Sequence, residues 1–138
     1  MMYKAEILAD SCSPAGCRLT TFVVTFPRFI LAEVNTHRML SRNSASSRAI
    51  PIEARIREVE SNPFIPAVFG KNQRGMQAGE NLDADSQDAA REAWLAGMGA
   101  ALEAARKMAA IGAHKQWANR LLEPYLWHTA ILSATDWS

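Results

Sequence analysis

The sequence predicts an α/β fold of the α+β type, with a mainly antiparallel sheet packed against helices. Three observations predict it. Two β-prone segments, 3–9 and 18–27, flank a turn; a long alanine-rich segment, 83–112, has helical periodicity; and the chain returns to alternating, β-branched residues over 125–138.

Each element follows from local chemistry. "YKAEILA" (3–9) alternates as a strand does, "SCSPAGC" (11–17) carries Pro14 and Gly16 as a turn, and "RLTTFVVTFP" (18–27) is rich in Thr, Val and Phe. Pro27 suits a helix start, and Phe29, Ile30, Ala32, Val34 and Leu40 have helical spacing, so 28–40 is expected to be a helix delivering His37 and Arg38 at its end. "IEARIREVES" (52–61) follows Pro51 as a short helix. Residues 62–81 are rich in Pro and Gly and read as a long loop, a length often tied to function. Over 83–112, Asp83, Asp85 and Ser86 are cap candidates, Trp94, Met98, Ala101, Ala105 and Met108 form an apolar core stripe, and Gly112 ends the helix. A second helix is expected over 113–124, then a strand over 125–138 in which His128 is structural.

The totals narrow the function. With 138 residues, 49% hydrophobic and 21% charged, residues 1–138 suit one packed domain. A net charge of +1 argues against a generally cationic nucleic-acid coat. Cys12 and Cys17 are too few for a disulfide scaffold, and their C-x4-C spacing completes no zinc site. Reduced thiols in a cytoplasmic protein are expected. The N-terminus lacks a basic start with a long apolar stretch, and no apolar run approaches the roughly 18 residues of a membrane span. The chain stops directly after the last strand, so a longer protein is expected, of which this is a part.

Chemistry concentrates in "THRMLSRNSASSR" (36–48). Arg38, Arg42, Arg48, Arg55 and Arg57 follow within a short span that holds one acid, Glu53. A guanidinium grips phosphate through paired hydrogen bonds, and serine hydroxyls can donate to the remaining oxygens. Asn43 can donate and accept, which suits a nucleobase or isoalloxazine edge. A helix end running into this turn could aim backbone N–H groups at one anion. The inventory fits phosphate or nucleotide recognition. A solvated loop with scattered charge is the bland alternative, and RNA contact is another, weakened by the absence of interleaved aromatics. "GKNQRG" (70–75) begins like a P-loop, but Met76 and Gln77 follow where Lys and Ser/Thr are required. No catalytic triad emerges.

The stretch resembles the signature of the flavin-dependent thymidylate synthases, RHRxxSxNExSxRY. His37, Arg38, Ser41, Asn43, Ser46 and Arg48 fall in register, while Thr36, Ser44 and Ala49 replace the motif's Arg, Glu and Tyr. "HKQWANRLLEPYLWHTAILSATDW" resembles the family's helix–strand segment near its active site, with Arg120 matching a nucleotide-binding arginine and Ser133 and Thr135 standing where Asn and Arg contact flavin. The resemblance spares roughly 62–85, and the family's next segment, of the form Asn-Phe-x-x-Leu-Arg, would begin past Ser138.

The resemblance implies an enzyme that carries a methylene group from methylenetetrahydrofolate to carbon 5 of dUMP, with FAD reduced by NADPH, giving dTMP. It implies a homotetramer with shared sites and no protein nucleophile; no metal and no membrane partner are expected, and nucleic acid is an unexpected partner. It places Thr36, His37, Arg38, Asn43 and Ser44 at FAD, and Ser44, Ala45, Ser46, Ser47, Arg48 and Arg120 at dUMP. The departures leave open a flavoenzyme acting on another pyrimidine nucleotide, or a non-catalytic nucleotide- or RNA-binding module.

Overall fold

A computed structural model describes residues 3–137. Strands β1 (Lys4–Cys12), β2 (Arg18–Pro27), β3 (Ser41–Ser44) and β4 (Trp127–Ala134) form one sheet in the order β1-β2-β4-β3, and every pairing is antiparallel. The α+β expectation therefore holds. The β1–β2 turn closes with Gly16 at φ 84°, a left-handed conformation that glycine adopts without strain. Cys12 and Cys17 flank it as free, exposed thiols.

Helices α1 (Leu31–Val34), α2 (Ile52–Ser61), α3 (Ala84–Ala110) and α4 (Lys115–Leu121) follow in chain order, with single 3-10 turns at Arg28–Ile30 and Glu123–Tyr125. Asp83 caps α3, accepting from the Ser86 N–H at 2.9 Å, and His114 caps α4, accepting from the Gln116 N–H at 3.2 Å. The main core lies between helices: Ile56 and Val59 of α2 pack with Leu102 and Ala105 of α3, with Ala118 of α4 and with Leu122 just after it. Met98, Ala101 and Met108 border it, so the α3 stripe is core. A second cluster joins Phe26, Ala130 and Leu132 of the sheet to Ile30, Leu31, Val34 and Leu40. Among the described residues no helix is long and apolar enough to cross a membrane.

Three expectations need correction. The helix over 28–40 is a 3-10 turn followed by one α-turn ending at Val34. Thr36 Oγ1 donates to Glu33 O at 2.6 Å and Arg42 Nη1 donates to His37 O at 2.8 Å, so side chains capture carbonyls that a longer helix needs. The polar stretch is not all turn: Ser41–Ser44 pairs with β4 as an edge strand, every residue exposed. The last strand and the helix before it are shorter than expected, because Pro124 ends the helix in a 3-10 turn and β4 starts only at Trp127. Residues 62–81 are irregular except for a bridge between Gly70 and Asn81, pinned at its base by Gln87, which bonds Phe69 N and Phe69 O.

Candidate functional site

The 36–48 stretch wraps the edge of the sheet. Thr36, His37 and Arg38 follow α1 in an exposed turn. His37, Arg38, Met39 and Leu40 face Asp136 and Trp137 across a cleft of about 430 Å³. Trp137 is held there edge-on to Phe22, ring centroids 4.8 Å apart. Asn43 and Ser44 lie on β3, opposite Ile131 and Ala130. Ala45, Ser46, Ser47 and Arg48 then turn off the strand toward α4.

Antiparallel pairing fixes how these groups relate. Ser41 faces Ser133 and Ser44 faces Ala130, so the 36–40 turn sits at the C-terminal end of β4 and the 45–48 turn at its N-terminal end. Ser41 and Ser44, the ends of β3 between these turns, are three strand steps or roughly 10 Å apart. His37 and Arg38 of the expected flavin set thus lie beyond one end of β3 and Ser46 and Arg48 of the expected dUMP set beyond the other, with Asn43 and Ser44 on the strand between them and Ser44 common to both sets.

The 45–50 turn is anchored from within. Asn119 of α4, fully buried, donates through Nδ2 to Ser47 O and to Ile50 O, both at 2.8 Å. Buried Arg28 donates through Nη1 to Ala45 O at 3.1 Å and through Nη2 to Ser47 Oγ at 3.1 Å. Ser47 Oγ in turn donates to Glu123 Oε1 at 2.6 Å, and Lys115 Nζ donates to Ala49 O at 3.2 Å. Arg28 Nη1 also lies 2.6 Å from His128 Nδ1. Burial first, then the Arg28 and Arg55 charges, push the His128 pKa down to about 4. The imidazole is therefore neutral near pH 7, accepts at Nδ1 and carries its proton on Nε2, which has no hydrogen-bond partner among the described residues. Burial also lowers the Arg28 pKa, and the Glu123 carboxylate opposes that shift.

This anchoring dictates what faces solvent. In a planar trans peptide the C=O and the following N–H point in opposite directions. Drawing Ala45 O inward turns the Ser46 N–H outward. Ser46 Oγ accepts from the Arg48 N–H at 3.2 Å, which leaves its own proton free to donate. The Arg48 and Arg120 side chains are exposed and form no ion pair among the described residues, and Arg120 lies within electrostatic reach of Arg28. Ser46 and Arg48 are therefore exposed donors on a turn that Asn119 ties to the helix carrying exposed Arg120, and such donors are of the type that takes an anion.

The expected site residues thus divide. Ser46, Arg48 and Arg120 are exposed donors, tied together through Asn119. Ser47 is buried and its hydroxyl is occupied by Arg28 and Glu123. Ala45 contributes its carbonyl inward. Sequence reasoning missed Arg28, Asn119 and Glu123. Their only signal is a polar residue inside an apolar run, as in "TFPRFIL" and "WANRLL".

No family model and no curated protein matches the sequence. Solved structures do match in fold. The UMP/dUMP methylase PolB from Streptomyces cacaoi bound with 5-Br UMP superposes with a TM-score of 0.76 at 14% identity, over 96% of this chain and 71% of that one. The same methylase bound with 5-Br dUMP superposes with a TM-score of 0.66 at 17% identity, over 85% of this chain and 49% of that one. The chain therefore has the fold of that methylase and spans only part of its length.

Proposed function

We propose that this chain is the nucleotide-binding part of a flavin-dependent methylase that converts dUMP to dTMP. The carbon comes from methylenetetrahydrofolate and the reducing equivalents from NADPH. One observation carries the reading: on a UMP/dUMP methylase fold, the turn bearing Ser46 and Arg48 is tied by Asn119 to the helix bearing Arg120.

In this reading Ser46, Arg48 and Arg120 bind the dUMP phosphate, with Ser44, Ala45 and Ser47 shaping the turn. A guanidinium close to the pyrimidine stabilises negative charge developing on the ring. Thr36, His37, Arg38, Asn43 and Ser44 would hold FAD, and the donor set fits: Arg38 supplies a cation for a diphosphate and Asn43 a donor and acceptor for a ring edge. When bound, the flavin supplies the hydride that completes the methyl group, and the protein supplies binding and orientation.

Self-association as a homotetramer with shared sites fits the surface. The chain exposes 9270 Å², against about 7,100 Å² for a compact monomer of this mass, an excess that other copies or the rest of a longer chain would cover. Ile7 and Leu8 on edge strand β1 are 61% and 59% exposed. Shared sites would also bring His37 and Arg38 of one chain to Ser46 and Arg48 of another, groups that flank opposite ends of β3 within one chain.

A second reading has UMP as the substrate, because the methylase of the same fold is a UMP/dUMP methylase. The test is direct. Protein reconstituted with FAD should bleach with NADPH and methylate dUMP or UMP when given methylenetetrahydrofolate. Protein that stays colourless with FAD and binds RNA with a steep salt dependence instead would overturn both readings.

A further inference from the structure

Four side chains reach the 45–50 turn from beneath, and they come from three separate places in the chain. Arg28 follows β2, Lys115 and Asn119 lie on α4, and Glu123 follows α4. The carbonyls of residues 45, 47, 49 and 50 all accept from these groups. A polar turn on an exposed edge would otherwise sample many conformations. Burying polar side chains beneath it is costly unless they are bonded; Arg28 and the Asn119 amide nitrogen bond to the turn, while Asn119 Oδ1 has no hydrogen-bond partner among the described residues.

We infer that Arg28 and Asn119 are positioning residues for the anion edge: by holding the carbonyls of Ala45, Ser47 and Ile50 inward they fix the Ser46 N–H, the Ser46 hydroxyl and Arg48 outward, at a set distance from Arg120. Neither needs to touch the nucleotide. Asn119 immediately precedes Arg120 on α4 and bonds the residue immediately before Arg48. It is therefore the shortest covalent and hydrogen-bonded path between the two exposed arginines. Arg28 supplies the second point of attachment, without which the turn could pivot about Asn119. Its planar fork bonds a carbonyl and a hydroxyl of the turn and the His128 ring together, which a lysine ammonium cannot reproduce in the same geometry. The inference rests on the nucleotide reading above and adds to it two residues that act at one remove.

The experiment separates phosphate grip from general damage. Wild type, Arg28→Lys, Asn119→Ala and Arg48→Ala are each titrated with dUMP and with deoxyuridine, which lacks the phosphate, and folding is checked by circular dichroism. Arg28→Lys and Asn119→Ala should each weaken dUMP about tenfold and leave deoxyuridine within about twofold, the size expected for a lost charge-assisted contact. A dUMP-to-deoxyuridine affinity ratio equal to wild type in both folded variants overturns the inference while Arg48→Ala still lowers that ratio. A ratio of one in wild type overturns the nucleotide reading itself, and the inference with it. Should Asn119→Ala not fold, Arg28→Lys, which keeps the buried charge, decides alone by the same ratio.

Discussion

Nη1 of Arg28 lies 2.6 Å from Nδ1 of His128, and this contact places a guanidinium and a neutral imidazole together beneath the candidate anion edge. The pairing exists only while His128 is unprotonated, since a second proton at Nδ1 would set donor against donor.

Stability should therefore depend on pH. The folded pKa of His128 is about 4, below its ordinary 6.5. The unfolded chain takes up a proton that the folded chain refuses, so the stabilisation is complete above about pH 6.5 and is lost as pH falls toward 4. The loss is of the order of 3 kcal/mol. Urea midpoints measured from pH 7 to pH 4.5 should fall steeply in wild type and less steeply in His128→Gln, whose amide oxygen can still accept from Arg28. Equal slopes would show that His128 does not titrate as described. The carboxylates of Asp10, paired with Arg18, and of Asp83, capping α3, are held below their usual range and add a separate loss at lower pH.

Two glycines of α3 should respond oppositely to alanine. A Cβ on Gly97 would sit 2.7 Å from Tyr125 Oη, and that ring is packed against Trp94 with centroids 5.4 Å apart. Gly99 has open space around it. Gly99→Ala should stabilise by about 0.5–1 kcal/mol through helix propensity. Gly97→Ala should destabilise, because overpacking of about 1–3 kcal/mol exceeds that gain. Thermal melts of the two variants check the opposite signs.

Asp83→Ala removes the side-chain oxygen that accepts from the Ser86 N–H. A loss of about 1 kcal/mol is expected from the N-cap alone. Chemical denaturation at pH 7 measures it, and an unchanged midpoint would mean that the cap is replaced by water.

Much of the fold was legible because it rests on local patterns. β2 falls on the Thr-, Val- and Phe-rich segment, α2 on the segment after Pro51, and α3 begins and ends where its aspartate cap and Gly112 place it. β3 was illegible because its four residues, Ser41–Ser44, carry no alternation, and the strand exists through pairing with β4, far away in sequence. The helix after Pro27 was overextended because apolar spacing continues to Leu40, while Thr36 and Arg42 bond backbone carbonyls instead. At the candidate site, the exposed cations Arg48 and Arg120 were visible as residue types in a motif. The buried side chains that aim them, Arg28 and Asn119, were not, since a hydrogen bond to a distant carbonyl leaves no periodic trace.

The central claim is that the turn carrying Arg48 grips a nucleotide phosphate. Calorimetric titration of wild type and Arg48→Ala with dUMP tests it most directly. The claim predicts a loss of about 1–3 kcal/mol in the variant, the usual cost of removing a charged hydrogen-bond partner. Equal dUMP affinity in the two proteins would contradict it.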